Sequence, residues 1–476
     1  MNLRIDSRKV EKGDIFFCIK GTAQDGHDYA ASAAEKGASV IVYSHDIPFS
    51  DTGETVYIKV DDTVKALNEA ADSFYGFPSK KLKMFGVTGT NGKTTIAYML
   101  SDIYSKLSGP TGYIGTVGSQ VSTNGEKKNV SHVDLTTPDP ISMNSTLAEM
   151  RKEGAVAAAI EASAHGLAQG RVDSVDFDYA IYTNLTREHL DYFGDMESYF
   201  QGKALFFKML KPEAVAIINI DDEYGEKMKD LCTGKVFTYG IEGVSKTPAD
   251  YMATNVEYSF DGMDFDIKYS GSTCHVKTDM HVTYNLYNLL AIFATLHQAG
   301  LPEDKIAAEF LHIPTIPGRM TSISEGQDFK VIVDYAHTDD SYEQLLRYVK
   351  EDIPGVNRII TVNGAPGKRD KLNRESYAKW IGMYGDFAVL TEEDPRDEKP
   401  EDIAREIASF LPDGFPHEII SDRYEAIKYA IDNAQKNDVI LILGKGAETY
   451  QDRASGKEFW MGDDTAAREI LKAKFQ

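Results

Sequence analysis

KLKMFGVTGTNGKTTIAYMLSDIYS, residues Lys81–Ser105, decides how this chain folds. Met84, Phe85 and Val87 form a short apolar run that reads as a buried strand, and Ile96, Met99, Leu100 and Ile103 recur at helical spacing. Between the two lies Gly89-Thr90-Asn91-Gly92-Lys93-Thr94-Thr95. A strand, a glycine loop and a helix opened by Lys-Thr form a cradle for a nucleoside triphosphate. Backbone N–H groups at the helix start face the phosphates, Lys93 meets their charge, and the Thr94 hydroxyl can ligate Mg²⁺. The strict motif spacing is not met, because Val87 stands where its first glycine belongs. An ordinary glycine-rich turn is the competing reading; Lys-Thr at the helix start argues for phosphate. ATP or GTP binding is therefore expected.

The chain has 476 residues, enough for two or three domains. Its 42% hydrophobic and 26% charged residues are those of a globular protein in water. A formal net charge of -23 speaks against a nucleic-acid partner, so an anionic ligand must be met by local Lys, Arg and helix N-termini. Cys18, Cys232 and Cys274 are scattered, which disfavours a disulfide frame or a zinc site. The first residues, MNLRIDSRKVEKGDIFF, contain no apolar signal region, and no apolar run approaches membrane-spanning length, so a cytoplasmic enzyme without membrane insertion is expected.

The fold class expected is α/β, in three domains. Residues 1–80 alternate short strands (14–19, 39–43, 56–60) with helices (29–36, 63–75), a small α/β domain with polar loops at Asp6-Ser7-Arg8 and Gly21–Gly26. Residues 81–313 carry the phosphate loop, a strand over 155–160 that delivers Glu161, and one over 179–182 that leads to Arg187-Glu188-His189. Ligands of open α/β sheets sit beyond the carboxyl ends of the strands, so Glu161 and His189 can converge on the loop. Alternation between Val256 and Val282 reads as an antiparallel excursion, and a helix follows over 285–299. Ile313–Arg319, with two prolines and a glycine, reads as a linker. In 314–476, five strands (331–333, 359–362, 388–390, 418–420, 439–443) each precede a polar loop and a helix. Four of those loops, Asp334–His337, Gly364–Lys371, Glu392–Arg396 and Gly444–Glu448, are charged and share one sheet edge, which points to a binding face.

Taken in order, GTNGKTT (89–95), EASAHGL (161–167), TNLTREHLD (183–191), NLYNLL (285–290), Gly318-Arg319-Met320 and DYAHT (334–338) resemble the Mur ligases of peptidoglycan synthesis. Within that family the chain is most similar to enzymes that add the third amino acid to UDP-N-acetylmuramoyl-L-alanyl-D-glutamate. The resemblance spans essentially the whole chain. It implies a UDP-sugar domain, a central P-loop ATPase domain, and a Rossmann-like C-terminal domain that binds the amino acid and closes over the ATP. It also implies a cytoplasmic monomer that transfers the γ-phosphoryl group of ATP to a carboxylate and lets an amine displace the phosphate. Such catalysis rests on positioning and charge neutralisation.

By the same resemblance, Gly89–Thr95 with Asn285, Asn288, Arg319 and Asp334 hold ATP. Thr94, Glu161 and His189 fit Mg²⁺ at two sites, and Lys93, Lys203, Glu161 and His189 form the catalytic group. Lys203, in SYFQGKALFF, stands where the family carries a carbamate derived from CO₂, an anion that can face the second Mg²⁺; read alone it is a solvated helix lysine. For the UDP-sugar peptide the resemblance points to Ser7, Thr22, Ala23, Gln24, Thr136, Thr137, Ser163, Gln169 and Arg171. For the incoming amino acid it points to Arg369, Glu393, Asp394, Pro395, Arg396, Gly444 and Glu448.

Family members that add meso-diaminopimelate carry Asp-Asn-Pro-Arg in the amino-acid loop, and lysine-adding members usually lack its arginine. Here the loop reads Glu393-Asp394-Pro395-Arg396: the arginine is present beside two acids. The extra carboxylate can neutralise Arg396 or attract the ammonium of lysine or ornithine. The expected substrate is meso-diaminopimelate, with L-lysine or L-ornithine as the alternative. Ala447 replaces a histidine, Asp339 replaces a proline, and the chain begins almost at the uridine motif, so the first domain is expected to be trimmed. Rival readings are a folylpolyglutamate synthase-like ligase and a non-catalytic paralogue. Ser7 and Thr136-Thr137 speak against the first; Lys93, Thr94, Glu161, His189 and Lys203 together speak against the second.

Overall fold

A computed structural model describes residues 1–21, 24–49, 54–131, 135–259, 262–280, 282–311, 313, 318–369 and 371–475. The first sheet is parallel, in the order β1 (Leu3–Arg4), β2 (Ile15–Phe17), β3 (Val40–Tyr43), β4 (Val56–Lys59). Helices α1 (Ala30–Glu35) and α2 (Thr63–Phe74) cover its faces; Ala30, Ala33 and Ala34 pack with Phe16 and Ile41, and Leu67 and Ala71 pack with Phe17 and Val42. The two-residue β1 escapes a periodicity reading.

The phosphate-loop strand β5 (Lys83–Thr88) leads into α3 (Lys93–Leu107), then β6 (Thr111–Gly115), β7 (Gly118–Thr123) and β8 (Glu126–Asn129). Next come α4 (Pro140–Lys152), β9 (Ala157–Glu161), α5 (Ala164–Ala168) and β10 (Tyr179–Tyr182). They are followed by α6 (Leu190–Phe193), α7 (Met196–Lys208), β11 (Val215–Asn219), α8 (Gly225–Leu231) and β12 (Lys235–Ile241). The antiparallel excursion is β13 (Tyr251–Ser259), β14 (Gly262–Tyr269) and β15 (Ser272–Thr278), before α9 (Thr283–Gln298) and α10 (Glu303–Glu309). All eleven strands join one sheet, β15-β14-β13-β12-β11-β10-β5-β9-β6-β7-β8, parallel in the middle and antiparallel at both ends. Alternation along β5 sorts its side chains. Phe85 and Val87 meet Ile96, Leu100 and Leu289 on one face, and Met84 meets Leu147, Met150 and Phe206 on the other.

The third sheet runs β16-β17-β21-β18-β19-β20, with β16 (Thr321–Ile323) antiparallel to β17 (Lys330–Asp334) and the remaining pairs parallel. Its elements are α11 (Asp339–Glu351), β18 (Ile359–Asn363), α12 (Leu372–Tyr384), β19 (Phe387–Leu390), α13 (Pro400–Ser409), β20 (His417–Ile419), α14 (Arg423–Asp432) and β21 (Val439–Leu443). One departure from the strand-loop-helix format follows β21. A hairpin, β22 (Tyr450–Arg453) and β23 (Gly456–Phe459), intervenes before α15 (Asp463–Phe475). Most of the expected linker, 314–317, lies outside the described residues. Asp339 is the first residue of α11, whose N-cap Thr338 forms a capping box with Ser341, so the helix starts well without proline.

Candidate active site

Strand β5 lies between β9 and β10, so the carboxyl ends of three neighbouring strands deliver Glu161, the glycine loop and Thr183 side by side. The loop is pressed against that neighbour: a Cβ on Gly89 would lie 1.7 Å from Thr183 Oγ1, and one on Gly92 would lie 2.6 Å from Asn288 Oδ1. Gly92 also sits at φ +87° as it opens α3, a conformation that suits glycine. The Asn91 backbone N–H donates to Asn184 Oδ1 at 2.8 Å, and Thr183 Oγ1 donates to Asn91 O at 2.6 Å. Lys93 Nζ curls back to donate to Gly89 O (3.0 Å) and Thr90 O (2.8 Å), both uncharged acceptors. Burial lowers its pKa although Glu188 and Glu161 oppose the shift. An anion at the loop would give this ammonium the countercharge that the carbonyls lack.

Glu161 is fully buried and saturated with donors. Its Oε1 accepts from Tyr113 OH (2.5 Å) and the Thr116 N–H (2.9 Å), and its Oε2 from Thr94 Oγ1 (2.9 Å) and Thr116 Oγ1 (3.2 Å). His189 adopts φ +57° at the start of α6, with Nε2 3.3 Å from Glu188 Oε1. Burial pulls its pKa down to about 4, so the imidazole is neutral, the form that ligates metals. Lys203 is 1% exposed, donates to Gly89 O at 2.8 Å and lies 4.5 Å over the Tyr199 ring. Burial first, and the Lys93 charge second, hold its pKa well below that of an ordinary lysine. A hydroxyl and a carboxylate in contact, with a neutral imidazole at the same strand ends, fit a hard divalent cation such as Mg²⁺. CO₂ adds to the neutral form of an amine, which the burial of Lys203 favours over the ammonium.

A cavity of about 250 Å³ opens beside the loop, between the second and third sheets. Asn91, Gly92, Thr95, Asn285, Asn288, Arg319 and Asp334 line it, together with Met280, Tyr284 and Tyr287, which the sequence reading did not single out. The Arg319 guanidinium lies 4.7 Å over the Tyr335 ring. Asp334 Oδ2 accepts the Met320 N–H at 2.8 Å, and burial raises this carboxyl while Arg319 pulls it back.

Thr137, Ser163, Gln169 and Arg171 form one cluster: Thr137 Oγ1 donates to the Glu161 carbonyl (2.7 Å), and Arg171 donates to Thr137 O (2.8 Å) and to Gln169 Oε1 (2.6 Å). Thr136 Oγ1 is 3.2 Å from Thr116 Oγ1. Ser7 is buried in the first domain, where its carbonyl accepts from Lys36 Nζ at 2.9 Å, and Gln24 is exposed. Thr22 and Ala23 lie outside the described residues.

A second cavity, of about 190 Å³, is lined by Arg369, Glu393, Asp394, Arg396, Gly444 and Glu448, but not by Pro395. His189 shares its wall, which joins it to the phosphate-loop side. Asp394 pairs with Lys445 Nζ at 2.8 Å, and Arg396 Nε lies 3.3 Å from Asp452 Oδ2, so the extra carboxylate does not neutralise Arg396. Glu448 accepts from Lys445 (2.5 Å) and Tyr335 OH (3.0 Å). Glu393 is different: it is 5% exposed, and its Oε2 has no hydrogen-bond partner. Burial raises its carboxyl to about 7 against the pull of Arg423.

Three further groups emerge only in three dimensions: Tyr113 and the pair Glu188–His337. His337 Nδ1 is 2.7 Å from Tyr335 O and Nε2 is 3.2 Å from Glu188 Oε1. Both partners only accept, so both ring nitrogens carry protons and His337 is a cation. Its pKa is raised by Glu188 in spite of burial, while His189, His337 and Lys93 hold Glu188 below the usual carboxylate range, likewise in spite of burial. Both residues lie inside quoted motifs, and only their separation in sequence hid the pairing.

Three family profiles match the chain: Mur ligase family, catalytic domain, over residues 1–75; Mur ligase middle domain over 87–296; and Mur ligase, glutamate ligase domain, over 318–446. Among curated proteins, the chain is 38% identical to the UDP-N-acetylmuramoyl-L-alanyl-D-glutamate–2,6-diaminopimelate ligase of Geobacillus thermodenitrificans, covering 94% of this chain and 90% of that one. The protein of the same name from Geobacillus kaustophilus is also 38% identical, over 99% of this chain and 95% of the other. A solved structure bearing that ligase name superposes with a TM-score of 0.66 at 28% identity, covering 100% of this chain and 95% of the other. Folylpolyglutamate synthase of Mycobacterium tuberculosis gives 0.67 at 17% identity over 85% of this chain and 95% of its own, a likeness of fold alone. Among the described residues no helix is long and apolar enough to cross a membrane.

Proposed function

The chain belongs to the Mur ligase family, and from that premise we propose that it joins meso-diaminopimelate to the D-glutamate of UDP-N-acetylmuramoyl-L-alanyl-D-glutamate. It is an ATP-dependent ligase of the UDP-N-acetylmuramoyl-tripeptide synthetase type, serving peptidoglycan precursor synthesis, and the proposed setting is the cytoplasm.

The reaction must turn a carboxylate into an electrophile. The glutamate side-chain oxygen attacks the γ-phosphorus of ATP, ADP leaves, and an acyl phosphate forms. The neutral amine of the amino acid attacks the carbonyl carbon, the C–O bond to phosphate breaks, and the amine proton is lost to give the amide. Two anions meet in the first step, so the site must supply positive charge. Lys93, the N–H groups opening α3, and Arg319 across the cavity are arranged for that task. Thr94, Glu161 and His189 would hold Mg²⁺, which supplies a further positive charge to the phosphates. Lys203, whose ammonium form burial disfavours, would carry the carbamate.

The observation that carries the choice of amino acid is the unpartnered Glu393 carboxyl in the same cavity as Arg396 and Arg369. A distal group bearing both an ammonium and a carboxylate satisfies both charges, and diaminopimelate has such an end. L-Lysine or L-ornithine would satisfy Glu393 but bring no carboxylate to Arg396, whose anionic contact would then be Asp452 alone, at 3.3 Å. Phosphate release in the presence of ATP and the UDP-dipeptide should therefore require a diamino acid and should favour meso-diaminopimelate. Turnover with L-lysine and none with meso-diaminopimelate would overturn the substrate. Release with a folate in place of the UDP-dipeptide would favour the folylpolyglutamate reading, and no release at all would favour the non-catalytic one.

A further inference from the structure

Two loops build the wall of the amino-acid cavity, one after β19 carrying Glu393 and one after β21 carrying Gly444. Their strands are not neighbours, because β18 runs between them, so no ladder hydrogen bond sets their spacing. Yet the spacing is tight. Gly444 sits at φ +104°, and a Cβ there would lie 2.1 Å from Glu393 Oε2, so the carboxyl rests against a bare Cα.

The link comes from below. Arg423, the first residue of α14, is fully buried, and so is Asp463, the first residue of α15. Arg423 Nε and one terminal nitrogen donate to the two Asp463 carboxylate oxygens, each at 2.7 Å. Its other donors reach the carbonyls immediately preceding Glu393 and Gly444: Glu392 O at 3.1 Å and Leu443 O at 2.7 Å. The Asp463 backbone N–H donates to Gly446 O at 3.1 Å, which ties the same knot to the second loop again. A planar guanidinium with donors on three nitrogens can hold a carboxylate and two carbonyls at once; an ammonium cannot keep that geometry.

We infer that Arg423, clamped by Asp463, is a positioning residue of the amino-acid cavity, fixing the gap between the Glu393 and Gly444 loops that receive the incoming amino acid. The inference rests on the amino-acid reading of that cavity proposed above. Arg423 is also the foremost of the charges that pull the Glu393 carboxyl down against burial, so it acts on the same group electrostatically.

The test is steady-state phosphate release by Arg423→Lys and, as a milder change that keeps the side-chain shape, Asp463→Asn, each checked for folding by circular dichroism. The KM for the amino acid should rise about tenfold, the equivalent of one charge-assisted hydrogen bond. The KM values for ATP and the UDP-dipeptide should stay within about twofold, because neither ligand meets these loops in the proposed reading. Preference for meso-diaminopimelate over L-lysine should shrink in parallel. Unchanged KM values in a folded variant, or all three rising together, would overturn the inference, as would failure of both variants to fold, since Arg423 would then be general scaffolding. Wild-type protein inactive with every diamino acid would instead overturn the function on which the inference rests.

Discussion

Glu393 and Lys203 are both charges that the fold resists, and each makes a separate prediction. The Glu393 carboxyl sits at about 7 in the folded chain, above the ordinary 4.5, so between those values the folded state binds more proton than the unfolded one. Its contribution to stability is therefore greatest below about pH 4.5 and is lost as the pH rises toward 7. Glu393→Gln removes the ionisation, so its melting temperature relative to wild type should climb between pH 5 and pH 8 by about 3 °C or more. A difference that stays flat across that range would sink the reading of a buried, proton-loaded carboxyl. For Lys203, replacement by alanine should cost about a hundredfold or more in kcat. Short carboxylates such as acetate should restore part of the loss by standing where the carbamate would be. Full activity of Lys203→Ala without them would end that proposal. At this scale the sequence identified the residue types but not their state. Lys203 alone reads as a helix-surface lysine, and its burial arises because α7 packs Phe200, Ala204, Phe206 and Phe207 into the core beside it. Tyr113, whose hydroxyl orders Glu161, had no signal at all, because it is an aromatic in a short strand 48 residues from its partner.

The elements were legible wherever one strong period runs through them. Strand β5, helix α3, the excursion β13–β15 and the long helix α9 follow from alternation or helical spacing, with ends shifted by a few residues. Strands β6 to β8 were missed: Gly112, Gly115 and Gly118 dilute the first two, and Glu-Lys-Lys-Asn at 126–129 offers no apolar face. Pairing decides what a period cannot. That β5 falls between β9 and β10 is set by tertiary packing, and it alone brings Glu161 and Thr183 to the phosphate loop. The close fit gives a test of the element as a unit. Gly89→Ala would drive a methyl into Thr183 Oγ1, part of the neighbouring strand end, where relief requires the loop to shift. The variant should bind ATP at least about tenfold more weakly by calorimetry while its far-ultraviolet dichroism stays native. Gly194→Ala, at φ +82° but with open space around it, makes the control: strained backbone with no neighbour displaced, and ATP affinity retained. Equal loss in both variants would assign the effect to backbone strain rather than to the contact with Thr183.

At the scale of the whole molecule, the ATP cavity belongs to neither large domain alone. Asn91 in the loop donates to Asp340 Oδ2 at 3.1 Å, Arg369 lies 3.5 Å from Asp191, and the Glu188–His337 pair at 3.2 Å joins the centre of the two faces. Glu188 and His337 also line the amino-acid cavity, so this one pair borders the place where the second substrate must enter. The two partners are 149 residues apart, which is why no local pattern announces them. An exposed ion pair would contribute little, but here Glu188 is largely withdrawn from water, His337 is partly so, and both imidazole protons are used. If the pair holds the third domain over the loop, Glu188→Gln and His337→Gln should each raise the KM for ATP and for the amino acid together, since both cavities need the same closure. The double variant should then be little worse than either single one. The coupling energy from the four values of kcat/KM should be about 1–3 kcal/mol, the range for charged groups in direct contact. Simple additivity would mean that the two residues act separately, Glu188 beside His189 and His337 within its own domain, and that closure depends on Asn91 and Asp340 instead. The first outcome makes the half-site at the phosphate loop competent only when the third domain supplies His337; the second leaves that loop a complete site in the central domain.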